Sequence, residues 1–474
     1  MAQASSLPFG RIISNRASAL KLGAAGLLFL VVLLMPTPQG LTPEGQRALA
    51  VMALAVVLWA TEALPIPVTG LVGVILLVGL GAVPDTGAGL YGFSQPVAYF
   101  LLGILTMGLA VQRSGLAERL ATLLIRGAGG RPGLLYIQML FSFALLTFAL
   151  PSASTRGAIM VHVYEGVLAR WQVTPEHPYY KTLMMALGSL NRLGSTALLA
   201  GGITPVVASG LLGDFSWTQW FLLMALPFYA NLVAGGTVLY LFYRRGFRPE
   251  VSPEALQLST GPVTAVEYRA GAIVLVTALL WFTDFAHGLH PAAPALIAMT
   301  LILLPRVGVL EWQDFERNVG WSNFFVIATS LSLAQALITT GAAAWFSETL
   351  ASGAAQALDR PWLLLLGLCG CMVAIRLLMP NIAGYLALVI PVAMAVGASL
   401  GLNPLVCGMA AVVVGDSVVY YSAAATASVF IFQRANIGNP EVFRFALAMT
   451  LVAVAVLFFL ALPYWGALGH PLTG

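Results

Sequence analysis

Apolar runs long enough to cross a lipid bilayer recur along the whole chain, and they limit what it can fold into. A helix spanning the hydrocarbon core needs about 20 predominantly apolar residues. Stretches of that character, taken with their flanks, surround Leu22–Leu34, Leu49–Leu64, Val68–Val83, Phe221–Phe242, Ala272–Phe285 and Phe445–Leu462. Closed barrels also cross membranes, but they show short alternating segments instead of long apolar runs. Only 8% of the 474 residues are charged, against roughly 25% in a soluble domain. The sequence therefore predicts an all-α polytopic membrane protein, with about 11 transmembrane helices and two re-entrant helical hairpins.

Charge placement tests that count. With spans set by hydropathy, seventeen Lys and Arg residues, among them Arg11, Arg113, Arg131, Arg244, Arg245 and Arg444, fall on one side, and only Arg47 and Arg360 on the other. The positive-inside rule then puts the N-terminus in the cytoplasm and the C-terminus outside, for a chain in the cell inner membrane. The same rule accounts for the net charge of +4 without a nucleic-acid partner. The first apolar stretch ends at Pro36-Thr37-Pro38 and reads as a first span rather than a cleaved signal. Cys369, Cys371 and Cys407 lie in apolar surroundings, as packing residues do, and no His or carboxylate stands beside them to complete a metal site.

The bias holds only if two segments, 133–170 and 361–400, enter and leave by the same face. Each is apolar and is interrupted by a short tip, Leu150-Pro151-Ser152-Ala153-Ser154-Thr155-Arg156 in the first and Met379-Pro380-Asn381-Ile382-Ala383-Gly384 in the second. Proline removes a helix donor and clashes with the preceding turn, so each segment reads as two half-helices meeting at a tip. Non-helical backbone inside a membrane survives only where it is buried in protein or lines a wet cavity. The spacing from Pro151 to Pro175 is 24 positions, and so is that from Pro380 to Pro404. Gly188 precedes Ser195 by seven residues, as Gly415 precedes Ser422. The first tip is entered from inside and the second from outside, which predicts two inverted repeats. The chain divides accordingly into N-terminal scaffold helices (1–95), a first repeat (96–245), linker and scaffold helices (246–320), a second repeat (321–435) and a C-terminal helix (436–474).

Several motifs then resemble the divalent anion/sodium symporter family of the ion-transporter superfamily. These are Leu41-Thr-Pro-Glu-Gly45, Trp59-Ala-Thr-Glu-Ala-Leu-Pro65-Ile-Pro67, Trp321-Ser-Asn-Phe-Phe325 and Gly401-Leu-Asn-Pro-Leu405. The resemblance covers nearly the whole chain. It implies a homodimer in the lipid membrane that moves a transport domain against a scaffold, in an elevator motion. It also implies an anion site between two tips, each normally Ser-Asn-Thr, and two unwound helices, expected here near 202–206 and 424–428. On that likeness substrate would meet Ser152, Ala153, Ser154, Thr155, Arg156, Thr204, Pro205, Asn381, Ile382, Ala383 and Thr426, and the intramembrane charge of Arg192 adds that residue. Coupling ions, Na+ or H+, would sit near Ser152, Ala153, Gly202, Asn381, Ile382 and Ala425, and the intramembrane charge of Asp416 adds that residue as a further candidate. No other cofactor is implied. The tips depart from the pattern, because Ala153 and Ile382 stand where the family has Asn. Hard cations need several oxygen ligands, so the sodium sites are weakened.

Charges inside the apolar segments add a reading of their own, since each costs at least about 2.5–3.5 kcal/mol at a helix centre. Arg156 follows the first tip, near a half-helix N-terminus that already favours an anion. Arg192, Arg376 and Asp416 complete the set. Asp416 is either a proton carrier or the partner of Arg192 or Arg376. The sequence thus predicts a secondary active transporter of small organic anions, di- or tricarboxylates, working as symporter or exchanger. The alternatives are an inorganic oxyanion permease (sulfate or arsenite type) or a cation/proton antiporter. Motifs of an intramembrane enzyme, such as His-Glu-x-x-His or Gly-x-Ser-x-Gly, are missing from the sequence.

Overall fold

The structure, a computed structural model, describes residues 16–126, 131–150, 152–247, 261–352, 360–422 and 426–473. Over these residues the chain is helical, with no strand. Seven of the described helices or helical runs are long and apolar enough to cross a membrane, and six shorter apolar helices accompany them. Helix starts follow local chemistry. Proline stands in the first turn of α2 (Pro43–Thr61), α4 (Pro96–Ser114) and α6 (Pro132–Leu145), where no intrahelical N–H bond is lost. Capping boxes open the helices Trp217–Tyr243 and Ala265–Phe282, through Ser216 with Gln219 and Thr264 with Glu267.

Before the site come α1 (Arg16–Leu34), packed on α2, and α3 (Ile66–Gly79). Helix α4 follows, then α5 (Leu116–Arg126). The first hairpin segment runs as α6 and α7 (Ala153–Arg170), separated by the tip residues. Next, α8 (Pro178–Met185) passes through a π-turn, Ala186–Leu190, into α9 (Asn191–Thr196). The chain then breaks before α10 (Ile203–Leu212) and α11 (Trp217–Tyr243). Helices α12 (Ala265–Phe282) and α13 (Ala292–Leu303) follow. A comparable order then recurs. Helices α14 (Trp321–Thr339) and α15 (Ala342–Ser352) precede α16 (Pro361–Leu378) and α17 (Ile382–Ser399), the arms of the second hairpin segment. Then come α18 (Pro404–Asp416), a break, α19 (Thr426–Arg434) and α20 (Asn439–Val456).

Burial separates interior from periphery. The apolar window of α4 is 72% buried and that of α14 61%, whereas that of α12 is 22% buried and leaves Leu275, Val276 and Leu279 facing outward. A helix exposing leucine and valine along most of its surface is stable only in an apolar solvent, which is the bilayer. The first helix break lies upstream of its expected place. The irregular stretch is Ala197–Gly202, while Thr204 and Pro205 belong to the first turn of α10. The first N–H groups of a helix have no intrahelical partner, so Pro205 sits there without cost. Glycine is required at the break itself, because a Cβ on Gly201 would lie 1.8 Å from the Ser195 carbonyl oxygen. The second break falls between Asp416 and Thr426. Pro151 of the first tip and Ala425 lie outside the described residues, and nothing is described of the Thr426 side chain.

Candidate functional site

Both hairpin tips are helix N-termini with their own side-chain caps. Ser152 Oγ accepts from the Thr155 backbone N at 3.2 Å and from Thr155 Oγ1 at 3.1 Å. Asn381 Oδ1 accepts from the backbone N of Ala383 at 2.8 Å and of Gly384 at 3.2 Å. Each cap relieves part of the unpaired donor set at its helix start. The start of α10 has no such cap, since Gly202 carries no side chain to supply one.

A cavity of about 290 Å³ joins these three ends. Its lining takes Ser152, Ala153 and Ser154 from the first tip, Ile382 from the second, and Gly202, Ile203, Thr204 and Pro205 from the α10 start. Arg192, Arg376 and Asp416 supply its charges. The sequence reading missed several of its polar walls. Asn191 and Ser195 come from α9, Ser428 from α19 and Asn323 from α14. A run of polar residues, Ser189-Leu190-Asn191-Arg192, inside an otherwise apolar helix was the available signal. The π-turn also contributes Leu187 and Gly188, and Ser428 Oγ donates to the Gly188 carbonyl at 2.8 Å, tying α19 to that turn. Single π-turns inside helices are often found at functional sites.

Arg156 stands elsewhere than its expected place against substrate. It is fully buried and is not part of the cavity wall. Its Nε donates to Asn191 Oδ1 at 2.6 Å and its Nη1 to the Leu150 carbonyl at 2.9 Å. Its Nη2 donates to the Asn191 carbonyl at 2.8 Å and to Ser195 Oγ at 2.7 Å. Asn191 Nδ2 in turn donates to the Ala153 carbonyl at 2.8 Å, so the first tip is pinned to α9 from two directions. Arg376 does the equivalent for the second tip. Its Nε donates to the Gly415 carbonyl at 2.9 Å, and its Nη1 to the carbonyls of Met379 and Pro380. Each tip is therefore held by a guanidinium that bonds both the carbonyl preceding the tip proline and the carbonyl of a neighbouring helix.

Asp416, 1% exposed, pairs with Arg192 and accepts hydrogen bonds from Thr196 Oγ1 and, at 3.3 Å, from Thr204 Oγ1. Of the two partners left open by the sequence, Arg192 is the one it meets. A buried carboxylate needs such company, because an unpaired charge in a low-dielectric interior is costly. Among the described residues the cavity wall carries two guanidinium groups, Arg192 and Arg376, against the single carboxylate of Asp416, an excess of one positive charge, and Arg156 adds a third guanidinium buried behind the first tip. Helix N-termini add partial positive charge of their own. Thr155, Asn381 and Ala383 stand in the tips but outside the cavity wall.

Fold and site together define a polytopic helical membrane protein whose two hairpin tips and broken helices converge on a polar, electropositive cavity. The chain matches the family described as "Sodium:sulfate symporter transmembrane region" over residues 16–470, and it belongs to that family, the divalent anion/sodium symporters. It is 25% identical to a "Membrane protein" of Cupriavidus necator, over 94% of this chain and 92% of that one. It is 24% identical to the L-tartrate/succinate antiporter of Shigella boydii, over 68% of this chain and 72% of that one. Among solved structures it resembles the YdaH transporter of Alcanivorax borkumensis, with a TM-score of 0.53 and 15% identity over 84% of this chain and 90% of that one. At that identity the likeness concerns the fold.

Proposed function

We propose that this chain is a secondary active transporter that exchanges small dicarboxylate anions, without sodium as the coupling ion. The carrying observation is the cavity itself. Three helix N-termini and two wall guanidiniums against one carboxylate surround a space of about 290 Å³, with Arg156 buried behind the first tip, and this complements an organic anion. The uncapped start of α10 offers backbone N–H groups to one carboxylate, and the polar wall of Ser154, Ser195 and Asn323 offers hydroxyl and amide partners. The named relative that moves tartrate and succinate supports this substrate class.

Coupling follows from the tips. The oxygens that would otherwise be free to hold a metal ion, namely the carbonyls of Leu150, Met379 and Pro380, are hydrogen-bonded to Arg156 and Arg376. A resident guanidinium gives each tip a permanent positive charge, so the site binds its anion without first taking up sodium. An exchanger needs no more than that. Recurrence of the helix order and the matched tips support two inverted repeats, and the family supports an elevator motion within a homodimer of the inner membrane, N-terminus inside. Membership of a family described by sodium:sulfate symport favours a second reading, sulfate as substrate.

Proteoliposomes loaded with unlabelled succinate test this. Labelled succinate, malate or tartrate should enter only against internal dicarboxylate, at equal rates in sodium and in choline. Entry of sulfate but of no dicarboxylate would establish the second reading. Uptake that requires a sodium gradient and no counter-substrate would overturn the exchanger.

A further inference from the structure

A second and larger cavity, about 850 Å³, opens between α6 and α11 and is lined almost entirely by apolar and aromatic side chains. Its polar groups are few, the hydroxyls of Tyr136, Tyr229, Thr237 and Tyr240, and two of them are engaged within the protein. Tyr136 donates its hydroxyl to the Gly236 carbonyl at 2.8 Å, and Thr237 donates its own to Val233 at 2.9 Å. A polar or charged ligand would find little inside, whereas an alkyl chain would lose nothing by entering. Its walls reach the surface, where Ile137 and Phe141 of α6 and Val233 of α11 are each more than 60% exposed. From Gly133 to Leu145 the groove follows α6 for about 18 Å at 1.5 Å per residue, close to the depth of one leaflet, about half of the ~30 Å core.

One end of this groove is basic. Arg131 immediately precedes α6, and Arg244 and Arg245 immediately follow α11. Tyr179 draws the two together. Its hydroxyl donates to the Pro132 carbonyl at 2.7 Å, its ring meets Phe247 at 5.2 Å, and Gly246 packs against its backbone nitrogen. The rings of Tyr136, Tyr240 and Phe247 close that end in edge-to-face contacts, 4.8 Å and 5.3 Å between centroids. Tyrosine at the end of an apolar groove, beside exposed arginines, is the arrangement of a membrane–water interface. Arg131, Arg244 and Arg245 are all exposed, and none forms an ion pair with a described carboxylate.

We propose that this groove is a binding site for an anionic phospholipid, one acyl chain lying between α6 and α11 and the phosphate facing Arg131, Arg244 and Arg245. Because α6 is the first arm of the hairpin that carries Ser152–Ser154, the bound lipid braces the arm behind the first tip. This inference is independent of which anion the central cavity takes.

Native mass spectrometry of the purified full chain tests it, with phosphatidylglycerol and phosphatidylcholine of identical acyl chains as probes. Phosphatidylglycerol should bind in preference. Each surface arginine near an anionic lipid contributes about fivefold, so the triple variant Arg131→Gln, Arg244→Gln, Arg245→Gln should lose most of that preference while still taking up both lipids. Val233→Trp, which fills the groove, should reduce adducts of both, and Ile137→Trp on the opposite wall serves if the first variant fails to express. Equal binding of the two lipids by the native chain would overturn the headgroup assignment. Undiminished phosphatidylglycerol binding in a folded groove-filling variant would overturn the groove.

Discussion

If transport here does not use sodium, as proposed, replacing Arg156 by serine should make the chain respond to sodium. The native guanidinium is fully buried and donates to four oxygens, those of Leu150 O, Asn191 Oδ1, Asn191 O and Ser195 Oγ. Two of them, Leu150 O and Asn191 Oδ1, have no other hydrogen-bond donor among the described residues. Each buried acceptor left unpaired costs about 1–3 kcal/mol, so the substitution should destabilise by about 2–6 kcal/mol. That is a large fraction of a total of about 5–15 kcal/mol. The same deletion leaves several oxygens facing a space the size of a guanidinium, and a hard cation takes oxygen ligands of this kind. Sodium at ten times its dissociation constant would return about 1.4 kcal/mol. The assay is thermal unfolding in lipid nanodiscs, with sodium, potassium or choline chloride at equal ionic strength. The native chain should show one unfolding temperature in all three salts. Arg156→Ser should unfold lower and recover partly in sodium alone. Loss of stability without any sodium response would refute the idea that the guanidinium stands in for a metal ion. A native chain stabilised by millimolar sodium would refute it more directly.

Two other outcomes follow from buried charge and its partners. Removing Arg192 from its pair with Asp416, as Arg192→Gln, should cost about 3–5 kcal/mol, because the Asp416 carboxylate is left buried without its cation. Asp416→Asn should cost less, because Arg192 is partly exposed in the cavity. The double variant should lose less than the sum, with a coupling of about 0.5–3 kcal/mol in a thermal-unfolding cycle. Strict additivity would mean that the contact contributes nothing. Asp284, in the turn after α12, is a different case. Burial works against its charged form, but hydrogen bonds from Thr218 Oγ1 and, at 2.9 Å, from the Thr218 backbone N outweigh it and hold its pKa below the usual carboxylate range. A depressed folded-state pKa stabilises above the unfolded value, about 3.9, and that contribution is lost as pH falls through the folded value. Stability should therefore decline in acid more steeply for the native chain than for Asp284→Asn, measured by unfolding between neutral pH and about pH 3.

What the sequence disclosed depended on how local the signal was. The tips were legible because proline followed by small polar residues, inside an apolar segment, has few explanations in a membrane. Their arms lie at Pro132–Leu145 with Ala153–Arg170, and at Pro361–Leu378 with Ile382–Ser399, as the apolar runs on either side of each proline suggest. The break before α10 lies a few residues upstream of 202–206, where the family resemblance implies it. Proline is tolerated at a helix start, and the glycine pair Gly201-Gly202 permits the turn. Asp416 could be given a list of partners but not a choice, because Arg192 lies 224 residues away and only packing brings them together.

Arg156 was the hardest to read, and the reason is physical. An arginine after a hairpin tip has the charge of an anion ligand whether or not it faces the cavity. Its direction depends on where unpaired backbone carbonyls lie, and those are created by the tip itself: a chain that breaks a helix exposes carbonyls as surely as it exposes N–H groups. The N–H ends of α7, α17 and α10 point positive charge at the cavity, while the carbonyl ends need donors. Arg156, from behind the cavity, and Arg376, from its wall, supply those donors at equivalent carbonyls Leu150 and Met379, although they come from different arms of their hairpins. The requirement belongs to the broken backbone, and each hairpin meets it with whichever arm can deliver a guanidinium. At each tip a guanidinium of the chain itself engages the carbonyl that precedes the tip proline, Leu150 at the first and Met379 at the second.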